Sequence, residues 1–308
     1  MIKKSFSAMT LVVLAINSLP AQADEASGEI YSSLRAGVAS TKIGDNSERT
    51  ADVVSRFSRV GAKGEANVND ELSAFGHYEW EADIVNSNNN GANLKTRLGY
   101  VGLKGDWGSF RVGQDYHTFY NFNVGAGDIP WNYSGFAQVD YRGRTSETVT
   151  YEGEFGITKV GASFVLDGEA GDDVDQTELG ISFDGGVATV ALAGIIDSAA
   201  GADNTAGLAV NGSVGAADWY VGFQDKGNTS SVTFDITAHD LYFHTEQFNS
   251  GVSGGADPTL YTIGYTHGLG KNASVWFEYG VYDDDVDAST GDEQNIEVIF
   301  KYDISGIF

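Results

Sequence analysis

The side chains that could do chemistry are few and poorly arranged for catalysis. The five histidines, His77, His117, His239, His244 and His267, show no metal-ligand spacing, and no cysteine is present to supply a thiolate or a disulfide. No Gly-x-Ser-x-Gly elbow occurs, and no serine pairs with a histidine by spacing. The word Gly125-Ala126-Gly127 lacks the lysine that a phosphate-binding loop needs. Two acidic runs, 167–178 with Asp172, Asp173 and Asp175, and 283–293 with Asp284, Asp285 and Asp287, have cation-binding composition. The second departs from a calcium loop, with Ala288 at its sixth place and Gln294 at its twelfth, so both runs read as solvated loops. No enzyme, cofactor or metal site is expected. What remains is the chemistry of a charged wall. Arg35 shares a strand face with Tyr31 and Ser33, opposite Ile30, Leu34 and Val38, which turns its guanidinium to the wet side.

Strands must position these charges. In the last stretch Ile296, Val298, Phe300, Tyr302, Ile304, Gly306 and Phe308 share one face; Glu297, Lys301, Asp303 and Ser305 share the other, with Ile299 and Ile307 as exceptions. Period two with one apolar face describes a strand against something apolar on one side only. Leu72, Ala74, Gly76, Tyr78, Trp80, Ala82 and Ile84 alternate in the same way with Ser73, Phe75, His77, Glu79, Glu81 and Asp83, and Val275 to Val281 repeats the pattern. Trp80, Trp219, Tyr220 and Tyr279 lie near strand ends, where aromatic girdles meet membrane interfaces.

Sixteen strands are expected, at 29–39, 53–65, 71–84, 94–104, 109–118, 146–155, 157–167, 177–184, 187–197, 205–214, 217–226, 230–237, 240–248, 259–268, 273–283 and 294–308. The break at Ala238-His239 makes the count even, as single-chain bacterial barrels require. Connections alternate between short turns and long polar loops, the barrel pattern. The fold class is therefore all-β: a 16-stranded antiparallel transmembrane β-barrel, too wide for side chains to fill. The longest connection, 119–145, is aromatic and Gly-rich without alternation, and a loop of that kind can fold into the lumen.

Residues 1–23 read as a secretory signal: Lys3 and Lys4, an apolar run from Phe6 to Leu19, and Ala21-Gln22-Ala23 as cleavage site. The barrel domain is then 24–308. The formal charge is −25, and −27 once Lys3 and Lys4 are removed, which argues against a nucleic-acid partner.

The order Ser58-Arg59-Val60-Gly61-Ala62-Lys63-Gly64-Glu65, Lys95-Thr96-Arg97-Leu98, Gly102-Leu103-Lys104, Gly108-Ser109-Phe110, Gly113, Tyr116, Tyr120 and Pro130 closely resembles the Gram-negative general porins, the trimeric outer-membrane diffusion channels. The match is sharp over 55–151 and architectural beyond. It implies that 119–145, with Tyr120, Gly127, Pro130 and Trp131, is an inward-folded constriction loop, and that Arg59, Arg97 and Arg144 form the arginine ladder of the channel wall beside Arg35. Arg144 stands seven residues before Tyr151, as the family's ladder arginine does before its tyrosine. The family's loop acids lie three before the proline, one after it and five after it; here those places hold Gly127, Trp131 and Gly135. Asp128 is the counter-charge that remains, with Asp115 and Asp140 as substitutes, so the acidic half of the constriction is thinned against the pattern that gives the family its mild cation preference.

The resemblance further implies a homotrimer, although 86–93 lacks the family's acidic latch; a terminal Phe308 read by the outer-membrane assembly machinery; and contact with membrane lipids and lipopolysaccharide, bridged by divalent cations at the acidic loops. The expected activity is passive diffusion of ions and small hydrophilic solutes across the outer membrane. Two alternatives stand beside it: a solute-selective channel for an anionic nutrient, and a structural or adhesive barrel.

Overall fold

The computed structural model describes residues 26–44, 48–86, 94–166, 174–283 and 293–307. The strands are β1 (Ala26–Ile43), β2 (Thr50–Ser55), β3 (Arg59–Asn69), β4 (Leu72–Ala82), β5 (Leu94–Gly105), β6 (Gly108–Tyr116), β7 (Arg144–Phe155), β8 (Thr158–Val165), β9 (Gln176–Asp184), β10 (Ala188–Asp197), β11 (Thr205–Val214), β12 (Ala217–Lys226), β13 (Thr229–Ala238), β14 (Leu241–Asn249), β15 (Thr259–Gly268), β16 (Ala273–Asp283) and β17 (Glu293–Ile307). From β3 onward each is antiparallel to the next, and β17 pairs with β1 from Glu29↔Ile307 to Ile43↔Glu293, which closes the sheet on itself.

β2 and β3 are two halves of one wall strand. β2 pairs with the upper part of β1 (Ala36↔Ser55 to Thr41↔Thr50) and β3 with the lower part (Ala26↔Ala66 to Ser33↔Arg59). The barrel is therefore sixteen-stranded. The single strand expected at 53–65 is corrected to a broken one. At the break Phe57 adopts φ 53°, which turns the chain out of the ladder. Ser58 fills the gap: its hydroxyl accepts from the Arg35 amide at 2.8 Å and donates to the Arg35 carbonyl at 2.9 Å. The expected break after Ala238 is present, with His239 in the turn at φ 56°.

Side chains are distributed the opposite way from a soluble sandwich. Alternate residues facing outward are large and apolar, such as Ile30, Leu34 and Val38 on β1, Val101 on β5, and Ile296, Phe300 and Tyr302 on β17. Those facing inward are polar and buried, including Ser33, Glu79, Thr150, Glu178, Gln224, Glu246, Glu278 and Glu297. An apolar outer belt and a polar lumen define a transmembrane barrel. Trp80 and Tyr279 stand outward as girdle residues should. Tyr220 does not: it is 3% exposed and points inward, its hydroxyl donating to the Asn123 carbonyl.

The connection between β6 and β7 turns into the barrel. It opens with a π-helical turn, Tyr120–Val124, and then runs without regular structure to Arg144. Phe119 and Val124 pack on Ile195 of β10; Phe122 packs on Ala191 of β10, Ala209 of β11 and Tyr220 of β12; Tyr133 and Ala137 pack on Leu260 of β15. Room for the Phe122 ring comes from Gly161 and Gly180, where a Cβ would lie 2.6 and 2.5 Å from it.

Candidate channel constriction

The loop is held by carboxylates of the inner wall that take its peptide N–H groups. Glu278 on β16 accepts from the amides of Trp131 (2.8 Å), Asn132 (3.2 Å) and Tyr133 (2.9 Å), and from the Tyr242 hydroxyl (2.6 Å). Glu246 on β14 accepts from the amides of Gly135 (2.6 Å) and Ala137 (2.9 Å) and from the Gln138 side chain (2.6 Å). At the neck, Glu178 on β9 accepts from the Phe119 amide (2.8 Å). Charged acceptors make these bonds stronger than neutral ones. Two buried histidines support the grip. His117 lies between Glu178 (2.7 Å from Nδ1) and the Arg142 carbonyl, and His244 between Asp235 (2.5 Å) and Glu246 (3.0 Å). His117 thereby joins the two ends of the loop.

Between the loop and the wall formed by β1, β3, β5 and β7 lies a cavity of about 770 Å³. Arg35, Arg59, Arg97 and Arg144 all line it, together with Phe57, Tyr116, Tyr120, Asp128, Pro130, Trp131, Phe136 and Tyr141. The guanidiniums are held in two ways. Arg97 meets Glu79 at 2.8 Å and Glu81 at 3.3 Å, and Arg59 lies 3.7 Å from the same Glu79, which also accepts from Tyr31 at 2.7 Å. Arg35 and Arg144 lie on rings instead: Arg35 is 4.8 Å from the Trp131 centroid, itself stacked on Trp276 at 4.3 Å, and Arg144 is 5.3 Å from that of Tyr116. Among the described residues neither has a carboxylate at salt-bridge distance.

The expected arginines and Asp128 are thus brought together, with corrections of detail. Asp128 accepts from the hydroxyls of Tyr120 (2.6 Å), Ser134 (2.9 Å) and Tyr141 (2.5 Å), so it organises the loop on itself. Burial, and then the neighbouring Asp128 charge, push both phenols well above the usual tyrosine range, so both remain donors at alkaline pH. Gly127 lies outside the cavity lining, packed where a Cβ would come 2.3 Å from the Tyr220 ring. Asp115 and Asp140 do not replace the missing loop acids, because they pair with Arg111 and Arg142. Glu178, counted with an acidic outer loop, is a fully buried wall residue of β9. The signal 1–23, Phe308, Asp172, Asp173, Asp284, Asp285, Asp287 and 87–93 lie outside the described residues.

Sequence reasoning missed Glu79, Glu246, Glu278 and Arg56, which pairs with Glu297. The signal available for the acids was their place on the polar face of alternating strands. Nothing in that pattern separated a loop anchor from a solvated acid.

A closed antiparallel barrel with an apolar outside, a polar lumen and a loop laid across that lumen defines a transmembrane β-barrel with an inward-folded loop. The chain belongs to the Gram-negative porin family, whose model matches residues 8–306, and so to the bacterial outer membrane. Among relatives, outer membrane protein S1 of Salmonella typhi is 35% identical over 117 residues, 36% of this chain and 29% of that protein. Porin protein OmpD of Salmonella typhimurium is 34% identical over 127 residues, 39% of this chain and 34% of that protein. The chain thus matches about a third of the length of these relatives. Among solved structures, the anion-selective porin from Comamonas acidovorans superposes with a TM-score of 0.71 at 16% identity, covering 91% of this chain and all of that one (100%). OmpT of Vibrio cholerae, described as a trimer form, gives 0.68 at 18% identity, covering 91% and 100%. At these identities the structures speak for the fold.

Proposed function

We propose that this chain is a passive diffusion channel for ions and small hydrophilic solutes, narrowed at the cavity between the 117–143 loop and the arginines of β1, β3, β5 and β7. The observation that carries the reading is the loop itself, seated across a polar lumen by Glu178, Glu246 and Glu278. No covalent step is needed; a pore radius and a lining field are enough. The field at the narrow point is weakly positive, since four arginines face the cavity against the Asp128 carboxylate in it and the Glu79 and Glu81 carboxylates paired with Arg59 and Arg97. Outer-loop charges are screened beyond about 8 Å at physiological salt, whereas a lining charge acts at contact. The channel therefore prefers anions weakly, despite a formal charge of −25.

The same reading includes a homotrimer, supported by the trimer form described for the Vibrio cholerae neighbour. It also includes cleavage after Ala23, assembly through Phe308, and lipopolysaccharide as the surroundings of the outer loops. The test is a planar bilayer in a KCl gradient. Discrete conductance steps with a zero-current potential on the anion side are expected. A sealed barrel without steps would leave the structural or adhesive alternative, and a strongly cation-selective pore would remove the role given to the arginines.

A further inference from the structure

We propose that the arginine-lined cavity is a binding site for small aromatic carboxylates, which makes the channel solute-preferring. This rests on the channel reading and adds a ligand class to it.

The starting observation is Phe57. A bulky residue at φ 53° is a strained exception, and such exceptions gather at functional sites. Here the strain breaks a wall strand and turns the phenyl ring toward the cavity, where it remains 36% exposed. Arg97 lies 5.9 Å from its centroid, at the outer limit of a cation–π contact, and leaves the exposed part of the ring to the cavity. Across the cavity the loop presents Phe136, 54% exposed, with only its flank against Tyr133 at 5.3 Å and Tyr282 at 6.2 Å. Two open phenyl rings beside four arginines do nothing for water or simple ions. They offer an apolar face to a solute that has one.

The charges define the other end of that solute. Arg35 and Arg144 line the same cavity, each fixed by an aromatic ring and each without a carboxylate partner among the described residues. Arg35 spends its Nε on the Ser33 hydroxyl (3.0 Å) and Arg144 one terminal nitrogen on the Tyr116 hydroxyl (3.2 Å), which leaves the remaining in-plane N–H groups of each for a planar carboxylate. The loop acid offers no competition, because both oxygens of Asp128 are already taken. A ligand with one ring and one carboxylate satisfies both features. An aliphatic acid satisfies only the arginines, and an aromatic amine is repelled by them.

The experiment uses single channels of the full chain in KCl, with benzoate, acetate or benzylammonium added. Benzoate should interrupt the current at a concentration about tenfold below that needed for acetate, the factor expected from burying part of a ring, and benzylammonium should not interrupt it. Phe136→Ala, at an exposed loop position, and Phe57→Asn, which removes the ring while accepting a left-handed backbone, should each bring the benzoate value toward that of acetate. Arg35→Gln with Arg144→Gln should weaken both acids. Benzoate no better than acetate in a conducting channel, or a preference unchanged by both phenylalanine substitutions, overturns the ligand class and leaves the diffusion channel standing. Absence of any KCl current overturns the channel reading and this inference with it.

Discussion

Glu79 decides how the arginine charge is distributed. It is 3% exposed and engages Arg97, Arg59 and Tyr31 at once, so those two guanidiniums are partly neutralised while Arg35 and Arg144 are not. Glu79→Gln is expected to move the zero-current potential in a KCl gradient toward anions, and the double change Arg35→Gln, Arg144→Gln toward cations. Equal shifts for changes made in the acidic outer loops at high salt would contradict this assignment. Arg97→Gln should in addition destabilise the barrel by about 1–3 kcal/mol, the cost of leaving a buried acceptor short of a donor, read as a lower temperature of heat modification on gels. Arg35 was legible from its strand alone, because Ile30, Leu34 and Val38 fix the face. Arg97 was not. It has the parity of Val101, which is 68% exposed and faces outward, and simple alternation would send it the same way. A bulge between Glu79↔Leu98 and Trp80↔Thr96 makes Arg97 the extra residue and turns it inward. Only the family pattern pointed to it in the sequence.

At the scale of the element, the loop is a strap fastened at its root and along the far wall, where the two carboxylates Glu246 and Glu278 are joined by Ser231, Gln224, Thr262 and Glu297. Glu278→Gln weakens three amide contacts and one phenol contact from charged to neutral. The expected result is open-channel noise well above that of the unaltered protein, with a stability loss on the order of 2–3 kcal/mol. Glu246→Gln should act similarly and also disturb His244. Removal of residues 124–135 should raise the single-channel conductance; an unchanged conductance would place the narrowing elsewhere. The loop could be located in the sequence because its aromatic, Gly-rich run lacks a period of two. Its anchors could not. Glu178, Glu246 and Glu278 occupy regular polar positions of β9, β14 and β16, and what they hold of the loop is chiefly backbone N–H, which leaves no trace in residue type.

For the whole molecule, the controlling fact is which face meets lipid. Val101→Arg on the outer face should cost about 2–4 kcal/mol if it lies near the bilayer midplane, and reduce the yield of folded, heat-modifiable protein. Thr150→Ser on the inner face should change folding little. The folded protein is expected to run as an oligomer on mild detergent gels, and a monomer by light scattering in several detergents would remove the trimer from the proposal. The barrel and its strand count were readable because alternation reports the environment on each side of a strand. The break at 56–58 was hidden, since Arg56-Phe57-Ser58 keeps strand-like composition and the turn rests on one backbone angle at Phe57. Tyr220 was misread because a tyrosine near a strand end looks the same whether it meets the membrane interface or a loop packed inside.

The way the loop is fastened has a consequence for how this protein can vary. The wall carboxylates hold the amides of 131–133, 135 and 137 without regard to the side chains those residues carry. The side chains turned toward the cavity can then be exchanged while the strap keeps its seat. Two exceptions stand: proline has no N–H to offer, and Pro130 stands just before the first of these amides, while Gly135, at φ 79° with the Tyr141 ring 2.1 Å from where a Cβ would lie, admits no side chain. A replacement of Trp131 or Phe136 changes what the opening favours and leaves its position alone. Proline at 131, 133, 135 or 137 removes a fastening point whatever the ring adds. Tyr133 and Ala137 also pack their side chains on Leu260, so the separation holds at Trp131 and Phe136: under the proposed channel function, a descendant of this chain can change its solute there without rebuilding the barrel.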